Sequence, residues 1–369
     1  MSTQHGGAVT LKPIGEVAAY LKNLIPANLP GNYALKPMFA SLAGEETIRS
    51  GVLAFRDFLY LLCDRLISDG QSYVKPPKTP ANMADYPFLH NLTNLLVEMG
   101  VHGTLSESGD SLRVAELPLC TASVDENGKK KNPKISASSQ TECLQFLTLC
   151  GFAFQETDLR ALDVTYPNNP ILLIGLKALA VADMELRTGR RYWNDNHLLQ
   201  CDYRLMKAEE TDILDVLKDF LHPLPKKIQE FALQLHQRYT ELGMTCSKSL
   251  LGEVNISYAF ISKNRKVLSP RDLYAQRIWE FSYSLRHGYC LFVRAKKTEQ
   301  YADVIETFPP SLREKIKKGY GCDRKLRNER CQHGCQGVRI PLDDEILSIS
   351  RELETWLDHE MPGSVRKVL

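Results

Sequence analysis

Two stretches of this chain carry the same five sequence landmarks in the same order, and this recurrence constrains the possible folds more than any other feature. Glycine is typical just past a helix end, and proline is typical of a first helical turn. The landmarks are Leu89-His90, Met99-Gly100, Gly151–Phe154, Thr165-Tyr166-Pro167 and Pro170 in the first stretch, and Leu235-His236, Leu242-Gly243, Gly288–Phe292, Thr307-Phe308-Pro309 and Pro310 in the second.

The shared order predicts an internal duplication, because a duplicated unit keeps the order of its elements. The alternative is that both stretches converge on the same helix and strand punctuation. The second stretch shows its strands most clearly. Residues 277–285 alternate aromatic or apolar with polar side chains, and Arg286-His287-Gly288 is a tight-turn sequence before another apolar run. This pattern is typical of a β-hairpin.

Each copy is therefore predicted to contain a helix, about three antiparallel strands and a second helix, in an α+β fold. Amphipathic spacing predicts further helices at Glu46–Leu66, Asp212–Phe220, Lys226–Tyr239 and Asp343–Leu357. The predicted organisation is a helical N-terminal region (1-80), a first α+β repeat (81-190), a helical linker (191-234), a second α+β repeat (235-318), and a Cys-rich tail with a C-terminal helix (319-369).

Composition limits the partners and the compartment. A net charge of +2, from 46 basic and 44 acidic residues, argues against a protein that coats nucleic acid through bulk charge. Met1–Thr10 lacks the basic and apolar regions of a secretory signal. Ile171–Ala182, the longest apolar stretch, is too short to span a bilayer. With ten cysteines and no export signal, we expect reduced thiols, a cytoplasmic location and no membrane partner.

The segment near the C-terminal end holds a candidate metal site. Cys322, Cys331, His333 and Cys335 lie within fourteen positions. Thiolates and imidazoles are the ligands that tetrahedral zinc prefers, and nearby arginines favour the thiolate form. The fourth ligand is either His333 or a residue of the predicted hairpin. We expect a structural zinc ion, because the motifs of open catalytic sites are missing from the sequence. The alternative is a group of reduced thiols without metal.

The same tail resembles one that is shared by uncharacterised bacterial proteins. They have the pattern Cys-x-x-Gly-Cys-x-Gly-x-Arg-Ile-Pro-Leu-Asp, which matches Cys331 to Asp343 here, followed by a helix that contains a tryptophan. Phe308-Pro309 and Gly319-Tyr320-Gly321 belong to the same pattern. The resemblance covers roughly the last 130 residues. It implies no activity.

The motifs in this sequence favour a binding protein over an enzyme. The sequence contains no nucleophile elbow, no phosphate-binding loop and no dinucleotide fingerprint. A small molecule or a protein is predicted to bind in a groove between the two repeats. His90, His236, Trp279 and Tyr289 are the candidate groove residues. A hydrogen-bonded structural position is the alternative for the two histidines.

Two other functions stay open. Residues 313-330 contain eight basic and three acidic residues, and nucleic-acid binding needs such a patch, although a solvated helix face gives the same count. A cysteine beside arginines has the electrostatics of a nucleophile. Cys322 or Cys331 in that role would make the protein a Cys-dependent enzyme.

Overall fold

The protein is an α+β chain that divides into two compact units, residues 1–211 and residues 212–369. The boundary between the units falls between Thr211 and Asp212, inside the predicted linker. The helices predicted at Asp212–Phe220 and Lys226–Tyr239 therefore belong to the second unit. The computed structural model describes residues 13–73, 87–124, 126, 129–157, 161–185, 197–248, 254–260, 276–285, 287–295, 298–319 and 337–361.

The described residues form eleven α-helices, and the predicted amphipathic segments are among them. The helices are α1 (Ile14–Lys22), α2 (Glu45–Asp69), α3 (Pro87–His102), α4 (Ala137–Leu149), α5 (Leu172–Glu185), α6 (Ile213–Leu221), α7 (Lys226–Glu241), α8 (Ala302–Glu306), α9 (Pro310–Lys318), α10 (Asp344–Ser348) and α11 (Ser350–Glu360). Short 3-10 helices cover Pro37–Phe39, Gly70–Tyr73, Pro118–Cys120, Tyr203–Met206 and Thr298–Tyr301.

The described strands are all paired in antiparallel fashion, and each unit has its own main sheet. The strands are β1 (Gly103–Leu105), β2 (Ser111–Val114), β3 (Ser123–Val124), β4 (Lys130–Lys131), β5 (Ala153–Glu156), β6 (Leu162–Thr165), β7 (Thr245–Lys248), β8 (Val254–Ala259), β9 (Arg277–Ser284), β10 (Gly288–Val293) and β11 (Val338–Pro341). Among the described strands, four form the sheet of the first unit, five form the sheet of the second, and β3 pairs with β4.

The two sheets differ in strand order, which contradicts the predicted duplication. The order is β1-β2-β6-β5 in the first unit and β11-β10-β9-β8-β7 in the second. In the first unit, α4 lies in the chain between the β1–β2 pair and the β5–β6 pair. Strand β5 then takes the edge of the sheet, beyond β6. In the second unit the strands form a meander. The landmarks therefore mark helix ends and strand starts that occur in both units. This is the alternative to duplication, in which both stretches converge on the same punctuation.

Helices α2, α3 and α5 form the centre of the first unit, and glycine lets them approach closely. A Cβ atom at Gly51 of α2 would lie 2.7 Å from the backbone nitrogen of Gly175 in α5, and one at Gly175 would overlap the Gly51 carbonyl group. Gly100 of α3 meets Ala180 of α5 in the same manner. Because these side chains are small, the backbones themselves are in contact.

Helix α5 contains Lys177 within an otherwise apolar segment, and the structure explains this lysine. Its ammonium group donates hydrogen bonds to the carbonyl oxygens of Gly103, at 2.6 Å, and Gly100, at 3.3 Å. Gly100 lies in the last turn of α3 and Gly103 follows that helix directly. A helix end leaves carbonyl acceptors unsatisfied, and its dipole favours a positive charge there. Among the described residues, no helix is both long and apolar enough to cross a lipid bilayer.

The β9–β10 hairpin confirms the prediction from alternating residues. Trp279 pairs with Val293 and Tyr283 pairs with Tyr289, so these side chains share one face of the sheet. Gly288, at the turn, has a φ of +64°, a left-handed conformation that favours glycine. The Trp279 ring packs edge-on against Tyr239 of α7, with ring centres 5.5 Å apart. This face of the sheet is therefore part of the apolar core.

The predicted C-terminal helix is two helices, because the chain bends at Ile349 between α10 and α11. The Asp343 side chain caps α10 by accepting a hydrogen bond from the Glu345 amide at 3.0 Å. Arg238 and Tyr239 of α7 both bond the carboxylate of Asp358 in α11, at 2.7 and 2.8 Å. These bonds fasten the last helix to α7.

We predict that Gly175→Ala lowers the free energy of unfolding by about 1–3 kcal/mol, because the added methyl group forces α2 and α5 apart. In an uncrowded helix the same change stabilises by about 1 kcal/mol, so the sign of the effect is diagnostic. Urea denaturation measures it. Gly31→Ala is the control, since a Cβ atom there meets nothing within 4 Å. A Gly175→Ala protein more stable than the parent would contradict the close crossing.

Candidate functional site

The predicted metal ligands Cys322, Cys331, His333 and Cys335 lie outside the described residues. Within the part of the chain that is described, no group of three or more metal-ligating side chains comes together. Cys290, which could have supplied a ligand from the hairpin, is buried, and its thiol faces the carbonyl oxygens of its own turn, 3.5 Å from that of His287. The zinc site therefore stays a prediction.

The two candidate groove histidines lie in different units. His90 belongs to α3 of the first unit and is half-buried. His236 belongs to α7 of the second unit, and its Nδ1 lies 2.9 Å from the hydroxyl oxygen of Tyr258 on β8. Burial lowers the pKa of His236, an effect that the nearby Asp212 opposes. His236 thus has the hydrogen-bonded structural position that was its alternative, while the groove between the halves stays a prediction.

The two candidate aromatic residues both lie on the hairpin of the second unit. Trp279 is fully buried and stacks on Tyr258, with ring centres 3.7 Å apart, so it is a core residue and does not line an open groove. Tyr289 is half-buried and stacks on Tyr283 at 3.8 Å. The structure brings Trp279 and His236 together through Tyr258, whereas Tyr289 lies at the other end of the hairpin.

The described cysteines for which a pKa shift is resolved are poor nucleophiles. Burial raises the pKa of Cys63 to about 12 and that of Cys120, Cys150 and Cys246 to about 11. Burial also raises the pKa of Cys201, whose sulfur lies 3.8 Å from the carbonyl oxygen of Val52. Because the thiolate is the reactive form, these residues are almost entirely protonated at neutral pH.

The described part of the basic segment 313-330 belongs to α9 and its end. Each of its basic side chains lies within 4 Å of a carboxylate, so the positive charge of this helix face is locally offset. Arg313 meets Glu306 at 2.8 Å, Lys315 meets Glu345 at 2.8 Å, Lys317 meets Glu306 at 3.4 Å and Lys318 meets Glu314 at 3.9 Å.

The opposite face of the second unit's sheet, away from Trp279, carries a row of one aromatic and three polar residues that crosses four strands. Glu280 of β9 lies between Ser257 of β8 and Phe292 of β10, and Phe292 in turn pairs with Arg339 of β11. Directly paired residues project from the same face of an antiparallel sheet. Register alone therefore places a carboxylate, an aromatic ring and a guanidinium group side by side.

Two more arginines reach Glu280 and leave both of its oxygens bonded. Arg277 donates to Oε2 at 2.7 Å and Arg294 donates to Oε1 at 2.9 Å, while the Ser257 hydroxyl donates to Oε2 at 3.1 Å. The side chains of Arg277, Glu280 and Arg294 are at most 8% exposed. A buried carboxylate with such bonds orients its arginines firmly, because charge-assisted hydrogen bonds are short and strong.

Phe292 joins the third arginine to this network. The guanidinium carbon atoms of Arg294 and Arg339 lie 4.1 and 4.6 Å from the centre of its ring. Guanidinium groups stack on aromatic rings and still present their N–H groups at the edge of the plane. We call Arg277, Arg294, Arg339, Glu280 and Phe292 the arginine cluster. It holds three guanidinium groups and one carboxylate, and planar guanidinium forks match phosphate and carboxylate groups.

The sequence patterns did not identify the arginine cluster. The alternation of residues 277–285 places Glu280 opposite the apolar face, but it does not show which residues lie beside it. The position of the hairpin turn fixes the pairing of Glu280 with Phe292, and this turn can be recognised in the sequence. Arg339 comes from β11, which pairs with β10 although more than forty residues separate the two strands in the chain, so its place in the sheet depends on tertiary structure.

No protein-family model, no curated protein and no solved structure matches this chain.

We predict that Glu280→Gln lowers the free energy of unfolding by about 3–5 kcal/mol, because it leaves two buried guanidinium groups without their carboxylate. Urea denaturation followed by circular dichroism measures the change. Glu345→Gln is the matched control: it breaks the exposed pair with Lys315 and should shift the midpoint little. Equal shifts of the urea midpoint in the two variants would show that the buried contacts of Glu280 stabilise the protein no more than an exposed ion pair does.

Proposed function

We propose that this protein is a binding protein, and that its ligand carries phosphate or carboxylate groups which contact Arg339, the half-buried arginine of the arginine cluster. The observation that supports this is the presence of three guanidinium groups and one carboxylate on one sheet face. Arg277 and Arg294 are oriented by Glu280, and the half-buried Arg339 lies at the edge strand β11, where a ligand can approach.

A binding role also fits the state of the described thiols, whose raised pKa values suit structural positions better than nucleophilic ones. The Cys-dependent enzyme requires Cys322 or Cys331, and it stays an alternative to our proposal. Reduced cysteines favour the cytoplasm as the location, and the seven cysteines of the described residues are free thiols.

We predict that inorganic pyrophosphate at millimolar concentration raises the melting temperature of the parent protein by several degrees, because a bound ligand stabilises the folded state. Arg339→Gln should lose most of this rise, measured relative to its own melting temperature without ligand. The control is Arg351→Gln, which removes an exposed arginine of α11 and should keep the full rise. An equal rise in both variants would place the anion elsewhere and contradict the proposal.

We further propose that Cys322, Cys331 and Cys335, with His333 or a hairpin residue, hold a structural zinc ion close to this sheet. The support is the ligand chemistry and the position of the segment between two fixed ends. Helix α9 ends at Lys318, β11 begins at Val338, and α9 packs near β11. A metal that closes this connection would restrict its conformations and help to hold β11, and thereby Arg339, at the sheet edge.

We predict that the purified parent contains one zinc ion per chain and that Cys331→Ser contains less. The variant should melt at a lower temperature, because the ion no longer ties the segment before β11. Elemental analysis and a thermal melt measure both effects. Cys120→Ser, which changes a half-buried thiol of the first unit, should keep its zinc. Parent protein with far less than stoichiometric zinc would reduce the cluster to ordinary reduced thiols.

A further inference from the structure

Strand β5 lies at one edge of the first unit's sheet, and its hydrogen-bond pattern directs some backbone groups away from that sheet. The amide of Thr157, just past β5, donates to the carbonyl oxygen of Ala161 at 2.9 Å, so these two residues form a hydrogen-bonded pair. Such pairs alternate with non-hydrogen-bonded pairs along an antiparallel ladder. Phe154 and Glu156 therefore belong to non-hydrogen-bonded pairs with β6. Their N–H groups and carbonyl oxygens point outward from the edge.

The opposite edge of the same sheet, β1, follows the same alternation but is partly covered. The Ser106 amide donates to the carbonyl oxygen of Ser111 at 3.0 Å, which places the backbone groups of Gly103 on the outward side. Lys177 of α5 donates to the Gly103 carbonyl at 2.6 Å. An edge with open backbone groups is a template for another strand, and proteins commonly cover or block it.

Strand β5 has no such cover in the described part of the chain. Among the described residues, the outward backbone groups of Phe154 and Glu156 have no hydrogen-bond partner. Ala153, Gln155 and Glu156 are exposed, and Phe154 is half-buried. The strand contains neither proline nor lysine, the residues that most often block pairing at an edge. The β5 edge is therefore able to accept another strand.

We propose that two copies of this protein pair through β5, in antiparallel fashion, about a two-fold axis that passes between their Gln155 residues. In this register Phe154 lies opposite Glu156 of the second copy, and each such pair exchanges both of its backbone hydrogen bonds. The outward groups of both residues are then satisfied in both copies. A two-fold axis closes the assembly, so it stops at a dimer.

Other two-fold registers of this edge carry a cost. A shift that places Glu156 opposite Glu156 sets like charges directly across the two strands, which destabilises a sheet. A shift that places Phe154 opposite Phe154 requires the Phe152 amide for its next pair. That amide already donates to the carbonyl oxygen of Leu147 at 3.1 Å. The register centred on Gln155 avoids both costs.

The side chains of β5 also suit a second copy of the same strand. The Phe154 ring is parallel to that of Phe152, with ring centres 5.9 Å apart, at the margin of the first unit's core. In the dimer the two Phe154 rings are diagonal neighbours, a separation that aromatic side chains can span. On the other face the two Gln155 amides meet, and each amide both donates and accepts hydrogen bonds.

Sedimentation velocity of the full chain over a range of concentrations tests this proposal. The parent should dimerise with a dissociation constant on the order of 10–100 μM, because an interface built on one strand is smaller than the ~1,600 Å² of a standard one. Glu156→Pro should weaken the dimer about 10-fold or more, because proline has no N–H group to donate across the interface. The bonds between β5 and β6 should survive, since Glu156 belongs to a non-hydrogen-bonded pair there.

The matched control is Glu156→Gln, which removes the same charge, keeps the amide and should dimerise like the parent. Circular dichroism shows whether both variants fold.

A second pair of variants tests the register and decides the matter if Glu156→Pro does not fold. Gln155→Lys sets two ammonium groups opposite each other at the axis and should weaken the dimer. Ala153→Lys adds the same charge to the same face, opposite the neutral Thr157 of the second copy, and should keep it. Both positions are exposed in the monomer.

Three results would overturn the proposal. The first is a parent that stays monomeric at about 200 μM, well above the expected dissociation constant. The second is a dimer that survives both Gln155→Lys and a folded Glu156→Pro, since it must use another surface. The third is equal weakening by the two lysine variants, which would show that added charge matters and the register does not.

Discussion

The carboxylate of Glu280, bonded on both oxygens by buried arginines, is the interaction on which the second unit most depends. Burying ionised groups is costly, and removal of one partner leaves the others without compensation. Arg277 approaches from the start of β9 and Arg294 from the end of β10, so the three residues tie the two hairpin strands together at one end. Phe292 and Arg339 extend this rigid group to the edge strand β11.

The same contacts connect the fold to its proposed use. A guanidinium group that binds an anion loses less conformational entropy if its orientation is already fixed. Glu280 fixes Arg294, and the Phe292 ring fixes the plane of Arg339. The apolar face, with Trp279 against α7, gives the sheet its stability, so the other face is available for polar groups. Trp279 thus lies on the face that packs on α7, and Glu280 with its arginines lies on the other.

Local patterns predicted several elements of this fold but not their arrangement. Apolar spacing identified α2, α6 and α7, and alternation with a glycine turn identified the β9–β10 hairpin, because these signals depend on neighbours in sequence. The inferred duplication was wrong, since helix ends and strand starts look alike in sheets of different order. The contact of Gly51 with Gly175 and the place of Arg339 beside Phe292 join distant segments, and a single sequence contains no signal for such pairings.

In our proposal, the arginine cluster binds anions at one end of this sheet. Crystals of the full chain soaked in tungstate test it directly, because tungsten scatters anomalously and its oxygens resemble those of phosphate. We expect an anomalous peak with tungstate oxygens about 3 Å from the guanidinium nitrogens of Arg339. Tungstate bound only at other surfaces, such as the lysines of α9, would contradict it.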